Sequence, residues 1–162
     1  MNSHLIILSF LFAFSFIGCS KCNKEEEKFK GNYKTPISSV KAYIWSVNHS
    51  HCEQLGKSLT GDILRFFKRP KHKGRGCFYI INSYTRDKSD KTMNANVKPA
   101  GEIEVIFEDK DRAVVAYPLH RKGRDETAYF DLKKTEGKWL VNSENKKFPQ
   151  WCTKCKHSGK SK

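Results

Sequence analysis

The sequence is poor in acidic residues and has no long hydrophobic run. It contains 17 Asp and Glu against 31 Lys and Arg, which gives a formal net charge of +14 over 162 residues. Its most apolar stretch, residues 5–17, is shorter than the roughly 18 residues that a membrane-spanning helix needs. No internal repeat is visible, and Gly74-Arg75-Gly76 lacks the strand-to-helix context of a phosphate-binding loop. The composition excludes collagen-like and low-complexity chains and leaves room for one domain.

The apolar stretch has the length of a signal-peptide core, which is about 7 to 15 residues. It ends in Phe16-Ile17-Gly18-Cys19, which resembles a bacterial lipoprotein signal. The resemblance implies that residues 1–18 are a signal peptide, cut after Gly18, and that the Cys19 thiol receives a diacylglycerol. An ordinary cleaved signal or an uncleaved anchor is the alternative. We therefore expect a protein of the bacterial cell envelope, anchored in the lipid bilayer through Cys19 and facing the periplasm or the cell surface.

The first half of the remaining chain has helical patterns. Residues 19–32 are strongly polar without apolar periodicity, which predicts a solvated stalk. Thr35 is a good helix cap and Pro36 suits the first helical position, so a helix is predicted to begin there. Apolar residues at helical spacing predict two further short helices, the last of them capped at Thr60 and ended by Pro70.

In the second half of the chain, the apolar residues have the two-residue spacing of β-strands instead of helical spacing. Ile103, Val105 and Phe107 alternate with Glu, as expected for a strand with one exposed face. Further strands are predicted over residues 113–119, 127–132 and 139–141, and a shorter one, Cys77 to Ile81, is expected to join them. Helices followed by an antiparallel meander predict an α+β fold in which a curved sheet wraps the N-terminal helices.

Two stretches of the chain resemble a known family. They are Thr35-Pro36 with the following residues 40–43, and residues 130–134 with the turn and strand at 137–141. Both are similar to small bacterial lipoproteins of unknown function with the nuclear transport factor two-like (cystatin-like) cone fold. The resemblance covers residues 33–145. It implies a pocket between sheet and helices, on a scaffold that hosts isomerases, hydrolases, carriers and binding modules.

Enzymes of that superfamily place an Asp, often with Tyr or His, at the pocket floor. The candidates here are Asp131 with Tyr129 or Tyr117, and His120. Strand alternation places Asp131 and Tyr129 opposite the core residue Phe130, which predicts a surface carboxylate rather than a pocket base. No catalytic residue and no cofactor are therefore assigned, and a non-catalytic protein is favoured over an enzyme.

Six cysteines accompany the expected export to an oxidising compartment. Cys52 and Cys77 are predicted to pair with each other. Cys152 and Cys155 pair with each other, or one of them pairs with Cys22. The alternative uses Cys19-x-x-Cys22 and Cys152-x-x-Cys155 as halves of a zinc site, but a lipidated Cys19 is not a thiolate ligand. No metal site is assigned.

Positive charge is concentrated in two segments. The tail, residues 146–162, carries a Cys-x-x-Cys motif and six Lys without an acid. The other segment interleaves Phe66 and Phe67 with six cations that fall within eleven residues, namely Arg65, Lys68, Arg69, Lys71, Lys73 and Arg75. Such patches attract polyanions in a salt-dependent way. A generally basic surface is the alternative.

Two classes of function remain open. The first is an envelope lipoprotein that acts as a non-catalytic binding module for an anionic envelope polymer, an anionic headgroup or an acidic protein, with an immunity or inhibitor protein as a variant. The second is a carrier, isomerase or hydrolase that uses the cone pocket. Nucleic acid suits the charge but is not an expected partner outside the cytoplasm.

Overall fold

The computed structural model describes residues 31–72, 75–84, 95, 97–121 and 123–152. The predicted signal peptide, Cys19, most of the stalk and the end of the tail lie outside the described residues. Lys73 and Cys155 lie outside them too. Among the helices that are described, none is long and apolar enough to cross a membrane.

The first helix, α1 (Pro36–Asn48), begins where its cap residue predicts. The Thr35 side chain accepts a hydrogen bond from the Ser38 N–H at 3.2 Å, and the Ser38 hydroxyl accepts one from the Thr35 N–H at 3.1 Å. This reciprocal pair satisfies two N–H groups that would otherwise lack partners at the helix start. Apolar residues of α1 are buried at helical spacing, so one face packs into the core, as predicted; they include Val40, Tyr43, Ile44 and Val47.

Three more α-helices follow within the described residues. They are α2 (Cys52–Lys57), α3 (Gly61–Phe67) and α4 (Gly76–Tyr84), with a 3₁₀ turn at Pro70–His72 between the last two. The first two of these helices confirm the sequence prediction, and α3 has Thr60 as its cap residue. The strand predicted over Cys77 to Ile81 is wrong, because that segment forms part of α4.

In the part of the chain that the structure describes, five strands form an open antiparallel sheet, which confirms the α+β class. They are β1 (Lys98–Pro99), β2 (Glu104–Glu108), β3 (Arg112–Arg121), β4 (Arg124–Thr135) and β5 (Lys138–Asn145). The order is β1-β3-β4-β5, and β2 also pairs with β3. The three long strands are longer than predicted, and the short β1 was not predicted at all.

One face of the sheet, called the inner face, packs against the helices. Its core includes Val115, Tyr117, Phe130, Leu132 and Val141, which share one cluster with apolar residues of α1, α2 and α4. The inward position predicted for Phe130 and Leu132 of β4 is therefore correct, since these side chains point toward the helical layer.

The opposite, outer face of the sheet is covered by the chain after β5. Phe148, Trp151 and Cys152 pack against Val114 and Tyr129. The packed structure thus continues past residue 145, where the resemblance ended. Because residues on this face are shielded from water, strand alternation alone does not reveal which of them are exposed.

A β-bulge changes the environment of one predicted strand. The register of β2 against β3 shifts between Val105 and Phe107. Val105 packs with the inner cluster, whereas Ile106 and Phe107 pack with the outer one. The prediction that Val105 and Phe107 share a face is therefore wrong, because the extra residue of a bulge reverses the alternation.

Candidate anion-binding surface

Helices α3 and α4 pack closely together, and the residues that connect them carry most of the basic segment. A Cβ atom added to Gly76 would lie 2.2 Å from the Phe67 carbonyl oxygen, so the start of α4 approaches the α3 backbone at a distance that only glycine allows. One residue later, Cys77 forms a disulfide with Cys52 of α2, as predicted. The beginning of α4 is thereby fixed to both preceding helices.

The described cations of the basic segment are exposed; Arg65 lies on α3, and the others lie in the connection between α3 and α4. Arg65 forms an ion pair with Asp62, and the guanidinium carbon of Arg69 lies 5.9 Å from the centre of the Phe66 ring. The remaining cations, which are likewise exposed, are Lys68, Lys71 and Arg75. Asp62 is the acidic residue of α3, so positive charge is in clear excess over the α3–α4 region.

Two aromatic side chains extend this surface. Phe78 and Tyr79 of α4 are 39% and 50% exposed, and they are the exposed large hydrophobic side chains of the described residues. The Tyr79 ring meets the Phe66 ring edge to face, with centroids 6.3 Å apart. We call the combined set the α3–α4 surface: Arg65, Phe66, Lys68, Arg69, Lys71, Arg75, Phe78 and Tyr79.

The sequence analysis missed the aromatic half of this surface. It assigned residues 77–81 to a strand, in which Phe78 and Tyr79 would point to opposite faces. On helix α4 both side chains are exposed, because Cys77, Ile80 and Ile81 form the buried stripe. The helical spacing of that buried stripe was the available signal.

The candidate catalytic residues do not come together. Tyr117 is buried on the inner face, where its ring meets Phe130 edge to face at 6.2 Å, and burial raises the pKa of its hydroxyl. Tyr129 packs on the outer face against Phe148, with ring centroids 4.5 Å apart. His120 is exposed and pairs with Asp125, Nδ1 to Oδ1, at 2.7 Å. Tyr117 thus lies on the opposite face of the sheet from Tyr129 and His120.

The prediction that Asp131 is a surface carboxylate is wrong. It lies on the outer face, as alternation predicts, but it is only 2% exposed. Arg112 donates to both of its carboxylate oxygens, at 3.3 and 3.2 Å, and Asn142 donates to Oδ2 at 2.8 Å. The guanidinium of Arg112 lies 3.6 Å from the centre of the Trp151 ring, so the C-terminal segment helps to cover this pair. The carboxylate is held by structural partners, which does not favour a role in proton abstraction.

A polar cluster inside the inner core was also missed. The Tyr84 hydroxyl donates to the Glu144 carboxylate, and the Tyr43 hydroxyl lies 3.5 Å away. Burial raises the pKa of Tyr84 well above its ordinary value, and the charge of Glu144 raises it further. Tyr43 and Tyr84 are themselves fully packed. This cluster therefore supplies partners to buried hydroxyls rather than an open binding site.

Cys152, His49 and His51 have structural roles. Cys152 is disulfide-bonded. His49 stacks on Trp45 with centroids 4.3 Å apart, and the His51 ring nitrogen accepts a hydrogen bond from the Gln54 N–H. Within the described ranges, no group of three or more His, Cys, Asp or Glu side chains is arranged to hold a metal ion.

The chain matches no protein-family model, and no curated protein or solved structure matches it. Its function is therefore inferred from the geometry of the α3–α4 surface and from the chemistry of its residues.

Proposed function

We propose that the protein is a lipid-anchored envelope protein whose domain, a nuclear transport factor two-like cone, binds an anionic partner without catalysis. The observation that carries the proposal is the α3–α4 surface, where exposed cations of α3 and of the connection to α4 accompany the exposed rings of Phe78 and Tyr79. A surface of this composition attracts anions from a distance and offers apolar area once they arrive.

Two further observations support binding over catalysis. The Asp131 carboxylate is paired with Arg112 and accepts a hydrogen bond from Asn142. Tyr117 and His120 lie on different faces of the sheet. A general base must lie within hydrogen-bonding reach of the proton that it removes, usually in a pocket with its partners. The inner face is filled by side chains of the protein itself, including Tyr43 and Phe130.

The test is retention of envelope material by the full chain. The protein is purified in detergent, immobilised and exposed to detergent-solubilised envelope at low and high salt. We expect anionic material to be retained at low salt and released at high salt, because exposed charges are screened beyond a distance of about 10 Å at 0.1 M ionic strength. The eluate is assayed separately for phospholipid, envelope polymer and protein.

A matched pair of double variants locates the binding. Lys71→Glu with Arg75→Glu reverses two charges of the α3–α4 surface, whereas Lys98→Glu with Lys110→Glu reverses two exposed charges on the sheet. Both pairs change the net charge equally. Retention is expected to fall in the first variant and to remain in the second. Equal losses in both variants, or no salt-sensitive retention at all, would contradict the proposed function.

A further inference from the structure

We propose that the partner of the α3–α4 surface is an anionic phospholipid bilayer, an inference that rests on the proposed function. Phe78 and Tyr79 enter the boundary between headgroups and acyl chains, and the neighbouring Lys and Arg side chains contact the headgroup phosphates. The domain thus lies against the membrane with the helical layer facing it and the outer face of the sheet directed away.

Helix α4 has the two-sided pattern that such a contact needs. Its buried stripe packs into the core, and its opposite stripe presents Phe78 and Tyr79 to water. Arg75, the residue immediately before α4, is exposed and lies about one helical turn before Phe78 and Tyr79. The Tyr79 N–H donates to the Arg75 carbonyl at 3.1 Å, which continues the helical hydrogen bonding back to Arg75. The exposed face of α4 and the residue before it therefore combine two aromatic rings with a cation.

Helix α3 continues this face. The Phe66 ring contacts the Tyr79 ring, and the guanidinium of Arg69 lies over Phe66. Cations next to aromatic rings match a membrane interface, where aromatic side chains place an apolar body in the acyl boundary and basic groups meet anionic headgroups. An acidic polymer in water pairs with the cations but offers no acyl region that an exposed ring could enter. The exposed ring of Phe78 therefore favours a bilayer over such a polymer.

The start of α4 is held in place, which lowers the backbone cost of docking. The Cys52–Cys77 disulfide and the close approach of Gly76 to Phe67 fix α4 against its neighbours before any partner binds. Less backbone freedom is then lost on binding. A tether at Cys19 would also keep the surface close to the bilayer, so that individually weak contacts suffice.

The test places a photo-crosslinking benzophenone amino acid at position 79 of the full chain, in isolated native membranes. A second chain carries the same group at position 135, where Thr135 is exposed on β4. After irradiation, the adducts are identified by mass spectrometry. We expect phospholipid adducts at position 79 to exceed those at position 135 by at least about fivefold, since one basic residue near an anionic surface changes binding by about that factor. Lys71→Glu with Arg75→Glu should reduce them, whereas Lys98→Glu with Lys110→Glu should not.

A second measurement uses the unmodified chain. The chain is reconstituted into vesicles of phosphatidylcholine with phosphatidylglycerol and, separately, into vesicles of phosphatidylcholine alone. The backbone amides of α3 and α4 should exchange hydrogen more slowly in the vesicles that contain phosphatidylglycerol. Unchanged exchange overturns the proposal. If position 79 crosslinks to a protein or a polymer instead of lipid, the bilayer assignment fails while anion binding stands. If it forms no adduct and charge reversal also leaves envelope retention unchanged, both proposals fail.

Discussion

Arg112 and Asp131 form an ion pair on the outer face of the sheet, with Nη2 and Oδ2 3.2 Å apart. The Arg112 side chain is 33% exposed, whereas the Asp131 side chain is only 3% exposed. Asp131 was a catalytic candidate by sequence, and its partners make it a structural residue. The pair fastens β3 to β4 at the position where Trp151 covers both strands.

Replacing Asp131 should therefore destabilise the fold. Asp131→Asn removes the charge that Arg112 faces in a buried setting, and hydrogen bonds to charged groups contribute about 1.5 to 3 kcal/mol. We expect the free energy of unfolding, measured by urea denaturation, to fall by about 2 to 3 kcal/mol on the same grounds. The matched control is Asp125→Asn, which breaks the exposed His120 pair and should cost less than about 1 kcal/mol. Similar losses in the two variants would contradict the structural role of Asp131.

Loss of the Cys52–Cys77 disulfide should weaken both the fold and the α3–α4 surface. The bond closes a loop of 25 residues. In the chain-entropy account, a loop of this size contributes about 3 kcal/mol. The double variant Cys52→Ser, Cys77→Ser should lose about this amount in denaturant unfolding. Hydrogen exchange should rise in α4 more than in β4, and a uniform change across the two elements would argue against a local fixing of α4.

Tyr84 should make stability fall at alkaline pH. Its folded pKa is raised, by burial first and then by Glu144, whereas the unfolded chain ionises near its ordinary value. The stabilising contribution is complete below that unfolded pKa, about 10, and is lost as pH rises toward the folded one.

The Tyr84→Phe variant tests this contribution. Above pH 10 its free energy of unfolding should decline less steeply than that of the parent, by up to about 1.4 kcal/mol per pH unit. Tyr117→Phe is the comparison, because burial alone raises the pKa of Tyr117 and the shift is smaller. For Tyr117→Phe, the slope of the free energy of unfolding against pH should differ from that of the parent over a narrower pH range. Parallel slopes for the parent and Tyr84→Phe, measured by denaturation at several pH values, would refute the prediction.

Lipidation should depend on Cys19 alone. Cys19→Ala should abolish metabolic labelling with palmitate, because the thiol that receives the lipid is gone. Cys22→Ala, three residues later in the predicted stalk, should remain labelled and serves as the control. Gel analysis of labelled cells measures both. Persistent labelling of Cys19→Ala would show that the anchor assignment is wrong.

Sequence analysis assigned most of α4 to a strand, and the reason is physical. Its apolar residues form a short run with aromatic and β-branched side chains, a composition typical of strands. Short apolar runs do not distinguish a buried strand from a helix by periodicity. The longer spacing of Cys77, Ile80, Ile81 and Tyr84 fits a helix, but it becomes visible only when the window extends to residue 84. By contrast, α1 was predictable because its N-cap residue and its stripe of apolar residues both indicate a helix.

The candidate site was predictable in its charges and not in its shape. The basic segment is read directly from the sequence, whereas the exposure of Phe78 and Tyr79 depends on the helix assignment. The face of Asp131 was predicted correctly, but its burial depends on residues 148–152 folding back over the sheet. Alternation defines two faces and carries no information on what covers each one.

The contact between Arg112 and Trp151 makes the fluorescence of Trp151 a probe of the C-terminal segment. Trp139 lies in the inner core and Trp45 stacks on His49, so both indoles belong to the helical side. Trp151 lies on the other side of the sheet beneath a guanidinium. Detachment of the C-terminal segment therefore alters the emission of a single indole while the others keep theirs, and fluorescence follows that step separately from global unfolding.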